Sequence, residues 1–174
     1  AILTITLSSF AQETKIHWMD FEEAVASCQK NPKKLFIDVY TDWCGWCKRM
    51  DQTTFSDTVI TKYMNENFYA VKFNAERTDT ISFYGQDFVN IPRTDGKKST
   101  HQLAYILLNK KLSYPSFVIM SEDLKLLQSI PGYHDAYQFE PMLHYFADDA
   151  FKTTDWKAYL SSFKSELPAK TNEN

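Results

Sequence analysis

Short continuous apolar runs alternate along the chain with stretches whose apolar residues recur every three or four positions, which predicts buried strands joined by amphipathic helices. Lys15-Ile16-His17-Trp18-Met19 reads as a short edge strand, and Asp20 as an N-cap with Glu23 placed for a capping box. The helix that follows runs to about Lys30, with Phe21, Ala24, Val25 and Cys28 on its buried stripe. Leu35-Phe36-Ile37-Asp38-Val39-Tyr40 has the length and apolarity of a buried strand, and a helix begins at about Cys44. Thr53-Thr54-Phe55-Ser56 interrupts the pattern, and Ser56-Asp57 starts a helix through Val59, Ile60, Tyr63 and Met64 that Asn65-Glu66-Asn67 ends. Phe68-Tyr69-Ala70-Val71-Lys72-Phe73-Asn74 is then the next strand, parallel to the earlier one because a strand, helix, strand order demands a crossover.

The middle of the chain is less regular. Ile81 to Ile91 suggests a hairpin turning at Gly85, and Asp95-Gly96 marks a loop. Ser99 or Thr100 is expected to cap a helix whose buried side is Leu103, Ala104, Ile106, Leu107 and Leu108, with His101 as a solvated residue at its start rather than a catalytic one. Tyr114-Pro115-Ser116 leads into the apolar run Phe117-Val118-Ile119-Met120. An antiparallel strand follows from Lys125 to Ile130, then a stop at Pro131-Gly132-Tyr133 and a helix from about Ala136 to Ala147. Thr154-Asp155-Trp156 begins one more helix, in which Trp156, Tyr159, Leu160 and Phe163 are spaced to pack on the domain rather than to bind a cofactor.

Composition narrows the class. The 174 residues are 44% hydrophobic and 16% aromatic, enough for one sizeable core. The net charge of −3 comes with dispersed basic residues, so nothing points to nucleic acid, and no apolar run is long enough to span a bilayer. Ala1 to Leu7 followed by Ser8-Ser9-Phe10-Ala11-Gln12 reads as the remnant of a secretory signal cut after Ala11, in preference to an ordinary strand, because charged sequence begins abruptly at Glu13. The division expected is a signal remnant at 1–12, one domain at 13–150 with an insertion at about 78–112, and a C-terminal helical extension and tail at 151–174. Export would set the chemistry in an oxidising compartment.

Chemistry concentrates in Thr41-Asp42-Trp43-Cys44-Gly45-Trp46-Cys47-Lys48. A sulfur at a helix start meets unsatisfied backbone N–H groups and the positive end of the helix dipole, both of which favour the thiolate. In C-x-x-C pairs the first thiol can fall from about 8.5 to between roughly 3.5 and 7.5. Cys44 is therefore expected to be the nucleophile. Cys47, one turn later on the same side, is expected to resolve the mixed disulfide. Gly45 permits the tight turn, and Trp46 adds apolar surface for a substrate. A zinc site is the competing reading of two such cysteines, but tetrahedral zinc needs four ligands and the remaining cysteine, Cys28, sits upstream on a helix stripe as a core thiol. Neither a metal nor an organic cofactor is expected.

The segment from Leu35 to Lys48, with Trp-Cys-Gly-x-Cys-Lys intact, resembles the active-site segment of the thioredoxin superfamily. Asp38, six residues before the first cysteine, matches that family's buried acid, thought to relay a proton for the second cysteine. Tyr114-Pro115-Ser116 resembles its cis-proline facing the cysteines, and Gly132 falls where the family has a glycine. The resemblance implies an α/β thioredoxin fold, a central mixed β-sheet flanked by helices, here with an insertion before the cis-proline and an extra C-terminal helix. It also implies supporting roles for Trp43, Lys48, Tyr114 and Pro115 beside the two cysteines. The insertion and the C-terminal helix resemble exported thioredoxin-like proteins of Bacteroidetes-type bacteria. The activity expected is a thiol:disulfide oxidoreductase that reduces protein disulfides. Its partners would be those disulfides and an electron donor, soluble or membrane-bound, and the protein itself is expected to be a monomer. An oxidase or isomerase using the same sulfurs, or a redox-inactive binding protein, are the alternatives, because Trp46 stands where typical thioredoxins carry a proline.

Overall fold

A computed structural model describes residues 15–169 of the chain. The expected signal remnant at 1–12 lies outside the described residues. The elements run β1 (Trp18–Met19), α1 (Phe21–Lys30), β2 (Lys34–Tyr40), α2 (Gly45–Gln52), α3 (Thr58–Asn67), β3 (Phe68–Asn74), β4 (Ile81–Phe83), β5 (Gln86–Phe88), α4 (Gln102–Leu107), β6 (Ser116–Met120), β7 (Leu126–Pro131), α5 (Ala136–Ala147) and α6 (Trp156–Ser162). The main sheet has the order β1-β3-β2-β6-β7. Strands β1 and β2 both pair with β3 in parallel, β2 pairs with β6 antiparallel and β6 with β7 antiparallel, so the sheet is mixed as expected.

Alternation along β2 distributes its side chains to two cores. Leu35, Ile37 and Val39 meet Phe21, Ala24 and Cys28 of α1 and Leu103, Ala104 and Leu107 of α4. Phe36 points the other way, to Met50 of α2, Ile60 and Met64 of α3, and Phe139 and Leu143 of α5. There Phe36 stacks on Phe117 with centroids 5.5 Å apart and meets the edges of Phe55 and Phe139. Cys28 is fully buried, as expected of a core thiol, and its Sγ–H has the carbonyls of Lys33 and Glu122 within 3.1 and 3.2 Å.

Several local expectations change in three dimensions. Asp20 does flank α1, but no side-chain cap forms there, so the box with Glu23 is absent. Asp57 caps α3 by accepting from the N–H groups of Val59 and Ile60, and Thr54–Ser56 before it is a turn of 3-10 helix. The hairpin turns at Tyr84-Gly85, both with positive φ, matching the two-residue turn that a twisted ribbon favours. His101, not Ser99 or Thr100, caps α4: its Nδ1 accepts from Leu103 N–H, and its Nε2 is 3.1 Å from the Asp79 carbonyl, which it can reach as donor in that tautomer. It is buried rather than solvated, against Phe73, and burial holds its imidazole below the ordinary histidine pKa. Ile106, expected inside, is exposed because the six-residue α4 presents only Leu103, Ala104 and Leu107 to the core. Helix α6 packs through Trp156 and Tyr159 on Tyr145 and through Phe163, just past its end, on His144, while Leu160 faces outward. The segment beyond α6 is pinned by the buried Glu140 carboxylate, which accepts from Ser165 Oγ–H and Glu166 N–H.

Candidate active site

The site forms where β2 ends. Strand β2 stops at Tyr40, Cys44 N–H donates to the Thr41 carbonyl at 3.1 Å, and Gly45 opens α2. Cys44 is the N-cap, and its Sγ accepts from Cys47 N–H at 3.1 Å, the contact that a Ser or Asp oxygen usually makes in that position. Cys44 and Cys47 are joined by a disulfide, with Cα atoms 5.3 Å apart. This geometry gives the first sulfur a backbone donor and the positive end of a helix, which together stabilise negative charge there.

Both cysteines are buried at the start of α2. Cys44 is only 4% exposed and Cys47 3%, whereas Trp43 and Trp46 are 60% and 57% exposed. The flanking indoles thus carry the exposed surface here, while both cysteines are buried. Trp43 is held by a hydrogen bond from its Nε1–H to Glu76 Oε1 at 2.8 Å and by edge contact with Tyr114 at 5.9 Å. Trp46 lies against Tyr133, with Arg49 over its ring. The Tyr114–Pro115 peptide is cis, and the Pro115 carbonyl accepts from the N–H of Gly132, whose φ of +97° suits glycine. Lys48 is exposed on the first turn of α2.

Beneath the helix lies a charged cluster. Asp38 is 1% exposed, and its Oδ2 receives Lys72 Nζ at 2.6 Å while Oδ1 has no partner. Desolvation pushes the Asp38 carboxyl up to about 6, with Lys72 opposing the rise and Asp51 adding to it. Lys72 also pairs with Asp51 of α2, one turn beyond Cys47, and stands over the rings of Trp18, Tyr40 and Phe55. Its ammonium is held above the ordinary lysine pKa because its two carboxylate partners outweigh the burial that would lower it. Lys72 and Asp51 escaped the sequence reading. A signal existed for Lys72: a lone cation in an apolar strand that becomes the direct neighbour of Asp38 once β2 and β3 are set in register.

Among the described residues no group of three His, Cys, Asp or Glu side chains is arranged to hold a metal ion, and no helix is long and apolar enough to cross a membrane.

Comparison with known proteins agrees with this architecture. A thioredoxin-fold protein from Helicobacter pylori superposes with a TM-score of 0.57 at 20% identity, covering 75% of this chain and 80% of that one. A putative disulphide-isomerase from Bacteroides thetaiotaomicron gives 0.56 at 20% identity over 83% of this chain and all of the other. In sequence, the thiol:disulfide interchange protein DsbD of Pseudoalteromonas atlantica is 39% identical over 41 residues, 24% of this chain and 7% of that protein. The chain spans a tenth or less of the length of the first curated relatives that it matches. Residues 21–147 match the thioredoxin-like domain family over all the sheet elements but β1 and both cysteines, and the chain belongs to that family.

Proposed function

We propose that the protein is a thiol:disulfide oxidoreductase that reduces protein disulfides through Cys44 and Cys47. The observation that carries this reading is the Cys44–Cys47 disulfide at the N-terminus of α2, with a buried, half-satisfied carboxylate on the strand beneath it. In the reduced protein, the Cys44 thiolate attacks a substrate disulfide, forming a mixed disulfide and releasing one substrate sulfur as a thiolate. Cys47 then gives up its proton and attacks Cys44 Sγ. The Cys44–Cys47 disulfide forms, the second substrate sulfur leaves as a thiolate, and two electrons have passed to the substrate. An electron-donating partner, soluble or membrane-bound, returns the pair to the dithiol.

Asp38 is suited to accept the Cys47 proton, because a carboxyl titrating at about 6 is ionised at neutral pH yet close enough to that range to hold a proton transiently. Trp43, Trp46, Tyr114 and Pro115 frame the sulfurs and provide surface for the substrate chain, Gly45 permits the turn, and Lys48 adds positive charge at the helix start. The reading includes a monomer working outside the cytoplasm, of the exported Bacteroidetes type, after loss of residues 1–11. It also includes a catalytic domain at 13–150 with an insertion at 78–112 and an extension at 151–174.

A disulfide-reduction assay with insulin tests the reading. Turnover that Cys44→Ser abolishes supports it, and wild-type protein without turnover refutes it. Direction is tested by equilibrating the pair with glutathione: a potential near that of thioredoxins, about −270 mV, fits a reductase, and one near the strong oxidants, about −120 mV, reverses the assignment.

A further inference from the structure

Two shallow grooves flank the cysteine pair, and their charges point to a class of substrate. On the Trp46 side one groove runs past Lys48, Arg49 and Gln52. On the Trp43 side the other lies between the end of β3 and the loop after β5, with Arg93, Lys97 and Lys98 on the loop and Asp42 and Glu76 opposite. The lining is net positive although the whole chain carries −3. Lys48, Arg49 and Lys97 are exposed and make no ion pair among the described residues; of the carboxylates, Glu76 is paired with Lys98 at 2.9 Å and holds the Trp43 indole, while Asp42 accepts only the neutral Asn74 amide at 3.2 Å and keeps its charge. Asp51, on the same helix as Lys48, is turned to Lys72 beneath.

The loop that carries Lys97 is fixed in place. Asn90 Nδ2–H donates to the carbonyls of Glu76, Arg77 and Ser99, Arg93 forks onto Asp95, and Asp95 Oδ1 accepts Lys97 N–H at 3.2 Å. Through Glu76 the same loop is tied to Trp43. The loop backbone that carries Lys97 is therefore set on the Trp43 side of the site, with little backbone ordering left to do on binding.

Resting on the oxidoreductase reading, we propose that this face takes protein disulfides flanked by acidic residues on both sides, one carboxylate meeting Lys97 beyond Trp43 and another meeting Lys48 or Arg49 beyond Trp46. Carboxylates beside a disulfide repel an attacking thiolate and raise the cost of expelling another. Cations on both flanks offset that repulsion and steer the encounter, an effect that acts mainly on the association rate and falls with salt.

The test uses the reduced protein and three synthetic peptides, each with one internal disulfide, flanked on both sides by Glu, by Gln or by Lys. Second-order rate constants for peptide reduction are measured at low salt and at about 0.5 M NaCl, where the screening length is only a few ångströms. The Glu peptide is expected to react about tenfold faster than the Gln peptide at low salt, and the Lys peptide slower than both, with the order compressed in high salt. The double variant Arg49→Glu, Lys97→Glu should reverse the order of the Glu and Lys peptides. Equal rates for the three peptides, or an order that the double variant leaves standing, overturns the inference while the oxidoreductase reading survives. Failure to reduce any of the peptides removes that reading and this inference with it.

Discussion

The two faces of the central sheet use the same strands to different ends. On the α1 and α4 side, Leu35, Ile37 and Val39 meet an apolar core that holds its own cysteine, Cys28, outside any disulfide. On the α2, α3 and α5 side, Phe36 begins an aromatic core, but two residues on, the same row of β2 presents Asp38 and the neighbouring row of β3 presents Lys72. One face is packed throughout. The other is packed at one end and charged at the other, where Lys72 joins Asp38 of β2 to Asp51 of α2, the helix that the Cys44–Cys47 disulfide opens. A cysteine's role in this chain is set by what surrounds it: Cys28 has carbonyls and methyl groups, whereas Cys44 has a helix terminus and a backbone donor.

The sharpest way to break this contrast is to exchange sulfur for oxygen on each face. Cys44→Ser should lower reductase turnover by about a thousandfold or more, some 4 kcal/mol of barrier, in an insulin assay. Cys47→Ser should instead accumulate covalent mixed disulfides visible on non-reducing gels. Residual turnover near that of wild type in Cys44→Ser would place the nucleophile elsewhere.

On the apolar face, Ile37→Ala should cost about 4 kcal/mol of unfolding free energy through lost burial and an unfilled cavity, while leaving the rate per folded molecule intact. Urea titration reads the first and turnover of the folded fraction the second. A loss of turnover beyond the folded fraction would mean that the two faces are coupled.

The charged face should respond to pH. Asp38 titrates at about 6 in the folded chain and near 3.8 when unfolded, so the folded state holds its proton more tightly than the unfolded state does. Its contribution to stability is therefore fully present below pH 4 and lost as pH rises through 6, a change on the order of 3 kcal/mol. The stability of wild type relative to Asp38→Asn should fall across that window and level off above it, as followed by urea unfolding at several pH values. The same variant should slow reduction about tenfold near neutrality, with the deficit shrinking in alkali as Cys47 loses its proton unaided. A stability difference that is flat from pH 4 to 8 would return the Asp38 carboxyl to its ordinary range, and a rate deficit that persists unchanged in alkali would remove Asp38 from the proton pathway. The smallest effect expected is that of Cys28→Ala, about 1 kcal/mol of stability with an unchanged reduction potential. A shifted potential would show that the third thiol communicates with the pair.

Much of the plan is legible in the residues. The runs Leu35 to Tyr40 and Phe68 to Asn74 declare themselves as strands because burial on both faces requires near-continuous apolar sequence, and Asp38 is conspicuous as the acid inside such a run. The pair Cys44 and Cys47 is conspicuous in the same way, because the spacing of one helical turn is itself the chemistry. Short elements were harder. Helix α4 has too few turns for its stripe to fix which side is buried, so Ile106 faces out although its spacing fits the buried side, and His101 is a buried cap because the backbone of Leu103 and Asp79 supplies both of its hydrogen bonds.

The sequence by itself determined which segments are strands and helices and that a dithiol opens a helix, since each depends on residues within a few positions of one another; the burial of Asp38 behind that dithiol is implied only by the family resemblance, and the packed sheet decides it. The tertiary structure alone decided that Lys72 and Asp51 converge on Asp38, that Glu76 and Lys98 fasten the loop after β5 to Trp43, and that both cysteines are buried. The ion pairs and the indole hydrogen bond among them join residues 21 to 34 positions apart. Sheet register and chain crossover set such distances, and no local periodicity encodes them.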